Sequence, residues 1–594
     1  MKKLAFSAFL LLILMALGLW LFVSTAPKKA TPPPARKIHV DLAKHTGIFK
    51  KGVEKVGRNV YAAIGYGLAN SIMIVGHDGV IIVDTMTTNE EATEVLAEFR
   101  RITDKPVKAI IYTHNHADHV FGAEVFARGA SPEVYAHAST ESLVMRIVTE
   151  LRPIIGTRSL RMFGNRLPAG QLVNAGIGPH LGLLPDSTLG FVPPTITFED
   201  ELDADVAGVK LTLIHAPGET DDQVYVWLSD QKILICGDNF YWTFPNLYTI
   251  RGTPFRSLKN WRQSLIAARE LNPEHLVPCH TRPISGAAKI REILTNYADA
   301  IGYVHDQAIR GINMGLTPDE LVETIHLPPH LSSAPYLQPF YGKVSWSVRA
   351  VFSGNLGWFD GDSANLHPLN RLERAAMIAG LAGGKEKLLA RAQKYVEDGT
   401  PQAALELTGY LLRLDPIHQA AKDLRVKALV ALAENEENPN ARNYYLSEAL
   451  EITQGESLKQ GNAASSESLH RFPLERFMDS LSVNLDPKAS AEVDQKVGLI
   501  FPDAGRGFLI HVRFGIAEIT ERAPKALRAE DVSILVEADS KVWREMLAGY
   551  GNPLKIMAGY DYPRGNMISF GRFMKLFQSG KMKLAYEPLS VLKD

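Results

Sequence analysis

The string His114-Asn115-His116-Ala117-Asp118-His119 constrains this chain more than any other feature. It follows residues 107–112, an apolar run that reads as a buried strand. The string therefore begins where a strand ends, and the carboxyl ends of strands are preferred ligand positions in α/β sheets. Two histidines spaced by two residues can face one ion, and the Asp–His pair after them can face a second. Imidazole and carboxylate are suitable donors for zinc and similar divalent metals.

Two such half-sites need donors from elsewhere, and three candidates follow other strand-like runs. Glu219 stands in HAPGETDD, Asp238 in ILICGDNF and His280 in LVPCHTRP. Such a mixed set leaves a shared position for water, as a catalytic metal site requires. Taken alone, Glu219 and Asp238 also fit turn or cap positions, and His280 fits a satisfied core histidine.

The strand text around these residues alternates with helical text. A hairpin turn at His77-Asp78-Gly79, a helix over 89–101 and strands over 209–215, 224–228 and 233–236 imply an α/β body. A helix over 258–271 and a strand over 275–278 complete it near residue 300. Residues 153–199 are rich in Gly, Pro and Arg with weak periodicity, the text of a lid or binding loop. Helices follow one another over 372–453, and Thr317-Pro318-Asp319-Glu320 reads as a helix start. A polar linker over 455–468 leads to a separate small α+β segment.

Composition narrows the function classes. Lys plus Arg (64) nearly cancels Asp plus Glu (65) over 594 residues, so the basic footprint of a nucleic-acid binder is missing. Two cysteines, Cys236 and Cys279, exclude a disulfide scaffold and a cysteine zinc module. They read as small apolar residues behind the metal-bearing strands, with a disulfide between them as the alternative that geometry decides. Only residues 4–23 are long and apolar enough to span a bilayer. Lys2 and Lys3 precede that run in the export pattern, so residues 1–26 are expected to be a signal peptide or an uncleaved membrane anchor. Residues 27–44, with Thr31-Pro32-Pro33-Pro34, read as a stiff spacer. The working body is then expected to be periplasmic or otherwise extracytoplasmic.

The string THNHADH resembles the signature of the metallo-β-lactamase superfamily. That resemblance implies an αββα fold with two zinc ions, His114 and His116 on the first and Asp118, His119 and His280 on the second. Where most of the superfamily has a histidine, PGET supplies Glu219, which is similar to the alkylsulfatase branch. Asp238 matches the bridging acid of that branch, usually Glu, and with Asp118 is the acid expected to serve catalysis. The strings RSLRMFGNRLPAGQLVNAGIG, NLYTIRG and NLGWFDGDSANLHPL resemble the same branch. The resemblance implies a catalytic domain (45–300), a helical dimerisation domain (301–460) and a sterol-carrier-like terminal domain (466–594), and hence a homodimer.

The substrate it implies is a small amphiphilic sulfate ester, with Arg251 and Asn246 binding the sulfate. A planar fork of donors suits a tetrahedral oxyanion. The family often has His immediately before Asn-Leu-Tyr; here Pro245 stands there and cannot donate a proton. Arg256 and Arg282 are the candidates for positive charge in its place. Leu181, Leu183, Leu184, Phe191, Trp242, Phe244 and Phe340 are candidate walls for an alkyl tail. Two other readings remain open: a hydrolase of another ester or amide (phosphodiester, lactone or β-lactam), and a lipid-binding protein with a degenerate metal site.

Overall fold

A computed structural model describes residues 35, 37–168, 170–184, 186–455 and 466–577. The expected leader, its proline tract and most of the 455–468 linker lie outside the described residues. Among the described residues no helix is long and apolar enough to cross a membrane.

Two facing sheets form the α/β body. The first has seven strands in the order β1 (Gly52–Val56), β2 (Val60–Ile64), β3 (Ser71–Val75), β4 (Val80–Val83), β5 (Val107–Ile111), β6 (Glu133–His137) and β7 (Ile196–Phe198). It is antiparallel up to β4 and parallel from β4 to β7. The second contains β8 (Glu201–Val206), β9 (Val209–His215), β10 (Val224–Leu228), β11 (Ile233–Ile235), β12 (His275–Val277) and β13 (Ile284–Ser285), in the order β13-β12-β11-β10-β9-β8.

Strand alternation dictates the layers, because successive side chains point to opposite faces. In β4, Ile81 and Val83 face inward, meeting Ile233, Ile235 and Val277 of the opposite sheet. Val80 and Ile82 face outward against Ala92, Val95 and Phe99 of the helix Asn89–Arg100. Leu234 and Leu276 likewise face outward, against Trp261 and Leu265 of the helix Leu258–Glu270. A strand apolar on both faces must be covered on both. The result is the expected αββα sandwich.

Several expectations change. Residues 153–199 are not all loop: Arg152–Phe163 is a helix that ends at Gly164, whose positive φ of 69° closes it. The expected 300/301 junction falls inside the helix Ala287–Asn313, whose Ile290, Ile293, Tyr297 and Ile301 belong to the same core as Leu234. The spacer expected up to residue 44 includes the short helix Val40–His45, anchored by buried Leu42 and His45.

Helices at Arg371–Leu381, Lys385–Glu397, Pro401–Leu414, Gln419–Asn435 and Pro439–Gln454 build the helical region. The last docks on the body through a buried ion pair, Arg161 Nη2 to Glu451 Oε2 at 2.9 Å. The C-terminal α+β unit has the sheet order β16-β15-β14-β17-β18, comprising β14 (Asp494–Phe501), β15 (Arg506–Arg513), β16 (Ile516–Arg522), β17 (Ile534–Glu537) and β18 (Asp561–Arg564). It is less separate than expected: Leu469, Phe472 and Phe477 pack into the core around Phe191 and Phe121.

Candidate metal centre and its cavities

The parallel pairs β4–β5 and β11–β12 bring four strand ends to one edge of the sandwich. Asp84 follows β4, His114 follows β5, Asp238 follows β11 and His280 follows β12. Glu219 hangs from the β9–β10 connection. All seven residues expected from the sequence as ligands meet there. His114, His116, Glu219 and Asp238 offer donor atoms within 4.8 Å of one another, as do Asp118, His119 and His280. Every one of these residues is buried. Backbone strain collects at the same edge: Asp84 (φ 59°), Met86 (φ 71°) and Thr281 (φ 64°) hold left-handed conformations without being glycine.

A directional chain orients the imidazoles. Asp84 accepts the Thr113 amide on Oδ1 (2.8 Å), and the Thr113 hydroxyl (2.8 Å) and His119 Nδ1 (2.6 Å) on Oδ2. Because the Thr113 hydroxyl is spent on Asp84, its oxygen accepts from His114 Nδ1 at 3.0 Å. His280 Nδ1 donates to the Leu68 carbonyl at 2.7 Å. The Nε2 atoms of His114, His119 and His280 are therefore left facing inward as lone-pair donors, the tautomer that a metal ligand needs. Asp84 and Thr113 were missed in the sequence reading. The signal for Asp84 was its place directly after the VIIV strand.

Electrostatics fit a cation. Burial pushes the Asp118 carboxyl up, but His119 and His280 outweigh it and hold it at about 2. Burial drives His114 down to about 4, helped by His119. For His119, burial acts downward, yet Asp238 and Asp118 together raise it well above the usual imidazole range. Burial pushes Glu219 up to about 8, and Asp238 pushes the same way against the pull of Arg256. Crowded acids that demand positive charge are the expected signature of a metal cage. Among the described residues, His119 Nε2, Glu219 Oε2 and Asp238 Oδ1 are buried without a hydrogen-bond partner. A pair of divalent ions, one at each donor group, would satisfy all three.

Arg251 stands beside this cluster, its Nη2 2.9 Å from His116 Nε2. The Asn246 side chain is buried with neither its amide nitrogen nor its oxygen partnered among the described residues. Arg256 donates through Nη1 to Glu219 Oε1 at 2.6 Å and to the Asn246 carbonyl. Arg282 instead lies at the surface, paired with Glu54 and the Lys50 carbonyl, and takes no part.

A cavity of about 290 Å³ opens on the cluster, touching His116, Asp118, Asp238 and Arg251. Leu181, Leu183 and Phe191 line it as expected, together with Phe472, Phe477 and Leu547 from the C-terminal unit. The other tail-wall candidates do not. Leu184 is exposed, Trp242 and Phe244 pack in the core under the second sheet, and Phe340 stacks on His45 at 4.1 Å. The wall loop is clamped to the helix Asn89–Arg100: a Cβ at Gly182 would collide with the Glu91 carboxylate. Cys236 and Cys279 are buried free thiols in different cores, so no disulfide joins them.

The metallo-β-lactamase superfamily model matches residues 64–280, and the alkyl sulfatase dimerisation model matches residues 317–455. A linear primary-alkylsulfatase from a Pseudomonas species is 36% identical over 528 residues, covering 85% of this chain and 98% of the relative. This chain belongs to the alkylsulfatase family. An alkyl/aryl-sulfatase of Saccharomyces cerevisiae, BDS1, is 30% identical over 449 residues, covering 73% of this alkylsulfatase-family chain and 69% of the relative. A solved double mutant of the sec-alkyl sulfatase PisA1 superposes with a TM-score of 0.85 at 25% identity, covering 95% of this chain and 90% of that one. The order of parts, α/β sandwich then helices then an α+β unit, is thus the architecture of an alkylsulfatase.

Proposed function

We propose that this chain is a metal-dependent hydrolase of sulfate esters, with linear alkyl sulfates as substrates and alcohol and sulfate as products. The observation that carries the reading is the joining of the buried His–Asp–Glu cluster to an apolar cavity, with Arg251 at the junction. The relatives named above as alkylsulfatases support the same substrate class.

Two divalent cations, for which zinc suits the imidazole and carboxylate donors, would supply Lewis acidity and make a water acidic near neutral pH. His114, His116, Glu219 and Asp238 would hold one, and Asp118, His119 and His280 the other. Asp118 and Asp238, held ionised, are the acids placed to take the proton of an attacking water. Arg251, which lines the cavity, would hold the sulfate and favour the charge that builds on its oxygens, and the unpartnered buried amide of Asn246 is the second donor assigned to it. Leu181, Phe191 and Phe477 keep water away from the alkyl tail.

Two further readings concern assembly and place. A homodimer is supported by the matched dimerisation model and by exposed Leu356, Trp358, Leu366, Leu369, Leu372 and Leu381 on the helical region; light scattering at low concentration tests it. Location outside the cytoplasmic membrane is supported by Lys2, Lys3 and the apolar run 4–23, and cell fractionation tests it.

The function is tested by supplying metal-loaded protein with octyl and dodecyl sulfate beside a phosphodiester and a β-lactam. Alcohol and inorganic sulfate in equal amounts are expected. Intact alkyl sulfates with a cleaved phosphodiester would overturn the reading.

A further inference from the structure

A second cavity, of about 200 Å³, meets the first at a partition made by His116, Ile147, Ile155 and Arg251, which line both. Its own walls differ in kind. Arg146, Arg251 and Arg256 face Glu219 and Asp221 there, whereas the larger cavity sets Asp118, Asp238 and Glu150 against Arg152 and Arg251. Arg256 is only 3% exposed, yet its Nε and Nη2 have no hydrogen-bond partner among the described residues, and neither has the Thr220 hydroxyl. A buried guanidinium with two idle N–H groups bears an uncompensated desolvation cost. A tetrahedral oxyanion supplies acceptors in the matching geometry.

We propose that this smaller cavity is a sulfate chamber, through which inorganic sulfate leaves while the alcohol occupies the apolar cavity. The proposal rests on the alkylsulfatase reading. Hydrolysis adds one water across the ester and yields an apolar alcohol, a sulfate dianion and a proton. The two products need opposite surroundings. A dianion retreating through the large cavity would pass leucine and phenylalanine walls and the Glu150 carboxylate. Through the small one it moves from Arg251 to Arg256 and then to exposed Arg146.

The test uses the metal-loaded full chain, with sodium sulfate as the probe. Leu143→Trp and Arg146→Glu alter residues that line only the small cavity, and Leu547→Trp one that lines only the large. Arg146→Glu should weaken both calorimetric sulfate binding and product inhibition by sulfate at least threefold. Leu143→Trp should lower kcat about tenfold and reveal a burst of octanol, with the preference between octyl and dodecyl sulfate unchanged. Leu547→Trp should shift that preference and leave sulfate inhibition alone. The proposal is overturned if Arg146→Glu binds sulfate like the parent, or if Leu143→Trp changes the chain-length preference instead. Should the parent leave octyl sulfate intact, the functional reading falls, and calorimetry still decides whether the chamber takes sulfate.

Discussion

Arg251 places its Nη2 2.9 Å from Nε2 of His116, so the expected sulfate-binding group touches an expected metal ligand. On its other side His116 places Nδ1 2.8 Å from His114 Nε2, the two nitrogens whose lone pairs a metal ion would take from this pair. The chain runs on through Thr113 to Asp84. Arg251 and the expected metal ligands thus share one network of contacts.

Replacing Arg251 separates the two roles. Arg251→Met should lower kcat/KM for alkyl sulfates by about 10²–10³, the usual cost of a lost oxyanion donor. Metal content should stay near that of the parent. Arg251→Lys should recover only part of the activity, because a point charge lacks the planar fork. Steady-state kinetics beside elemental analysis check both outcomes.

Arg256 and Glu219 form an ion pair buried on both sides. Removing one partner of such a pair strands the other, at a cost of about 3–5 kcal/mol. Arg256→Met should lower the melting temperature markedly, and Glu219→Gln should weaken metal retention on dialysis. A variant Arg256→Met as stable as the parent contradicts this account.

Phe472 and Phe477 carry the C-terminal unit into the catalytic core, with Phe472 5.7 Å from Phe191 between ring centroids. Truncating a buried aromatic costs about 3–5 kcal/mol. Phe472→Ala should therefore destabilise the chain by this order. Phe477→Ala should also improve turnover of longer alkyl chains relative to octyl sulfate, because Phe477 lines the apolar cavity. Denaturant titration and a chain-length series read the two effects.

His45 provides a pH-dependent term outside the metal centre. Burial, opposed by its bond to the Gly176 carbonyl, lowers its pKa from 6.5 to about 4. The unfolded chain then binds the proton first as pH falls, so His45 contributes stability above pH 6.5 that is lost progressively down to pH 4. The melting temperature of His45→Phe should fall less steeply than the parent's across that window. Parallel curves would contradict the assignment.

The layers and the ligands were legible because each depends on local text: apolar runs of strand length, ending in residues with metal-binding chemistry. His114, Asp238 and His280 all sit one to three residues beyond such runs. The helix Arg152–Phe163 was not legible, because its apolar residues face a cavity shared with distant segments and leave little periodicity. The same cause misplaced the tail wall. Phe472, Phe477 and Leu547 reach the cavity from a unit that lies about two hundred residues or more beyond the last ligand, whereas Trp242, Phe244 and Phe340 look suitable in sequence and are spent on other cores. Arg256 was legible only as a charge, since its pairing with Glu219 needs the fold.

Under the proposed function, two cations held by the seven clustered residues make this chain a sulfate-ester hydrolase. Its most direct test is dodecyl sulfate turnover on stepwise return of zinc to chelated protein, with bound metal measured at each step. Activity should rise from zero and level off at two equivalents per chain. Full turnover with less than a tenth of an equivalent bound would contradict the account.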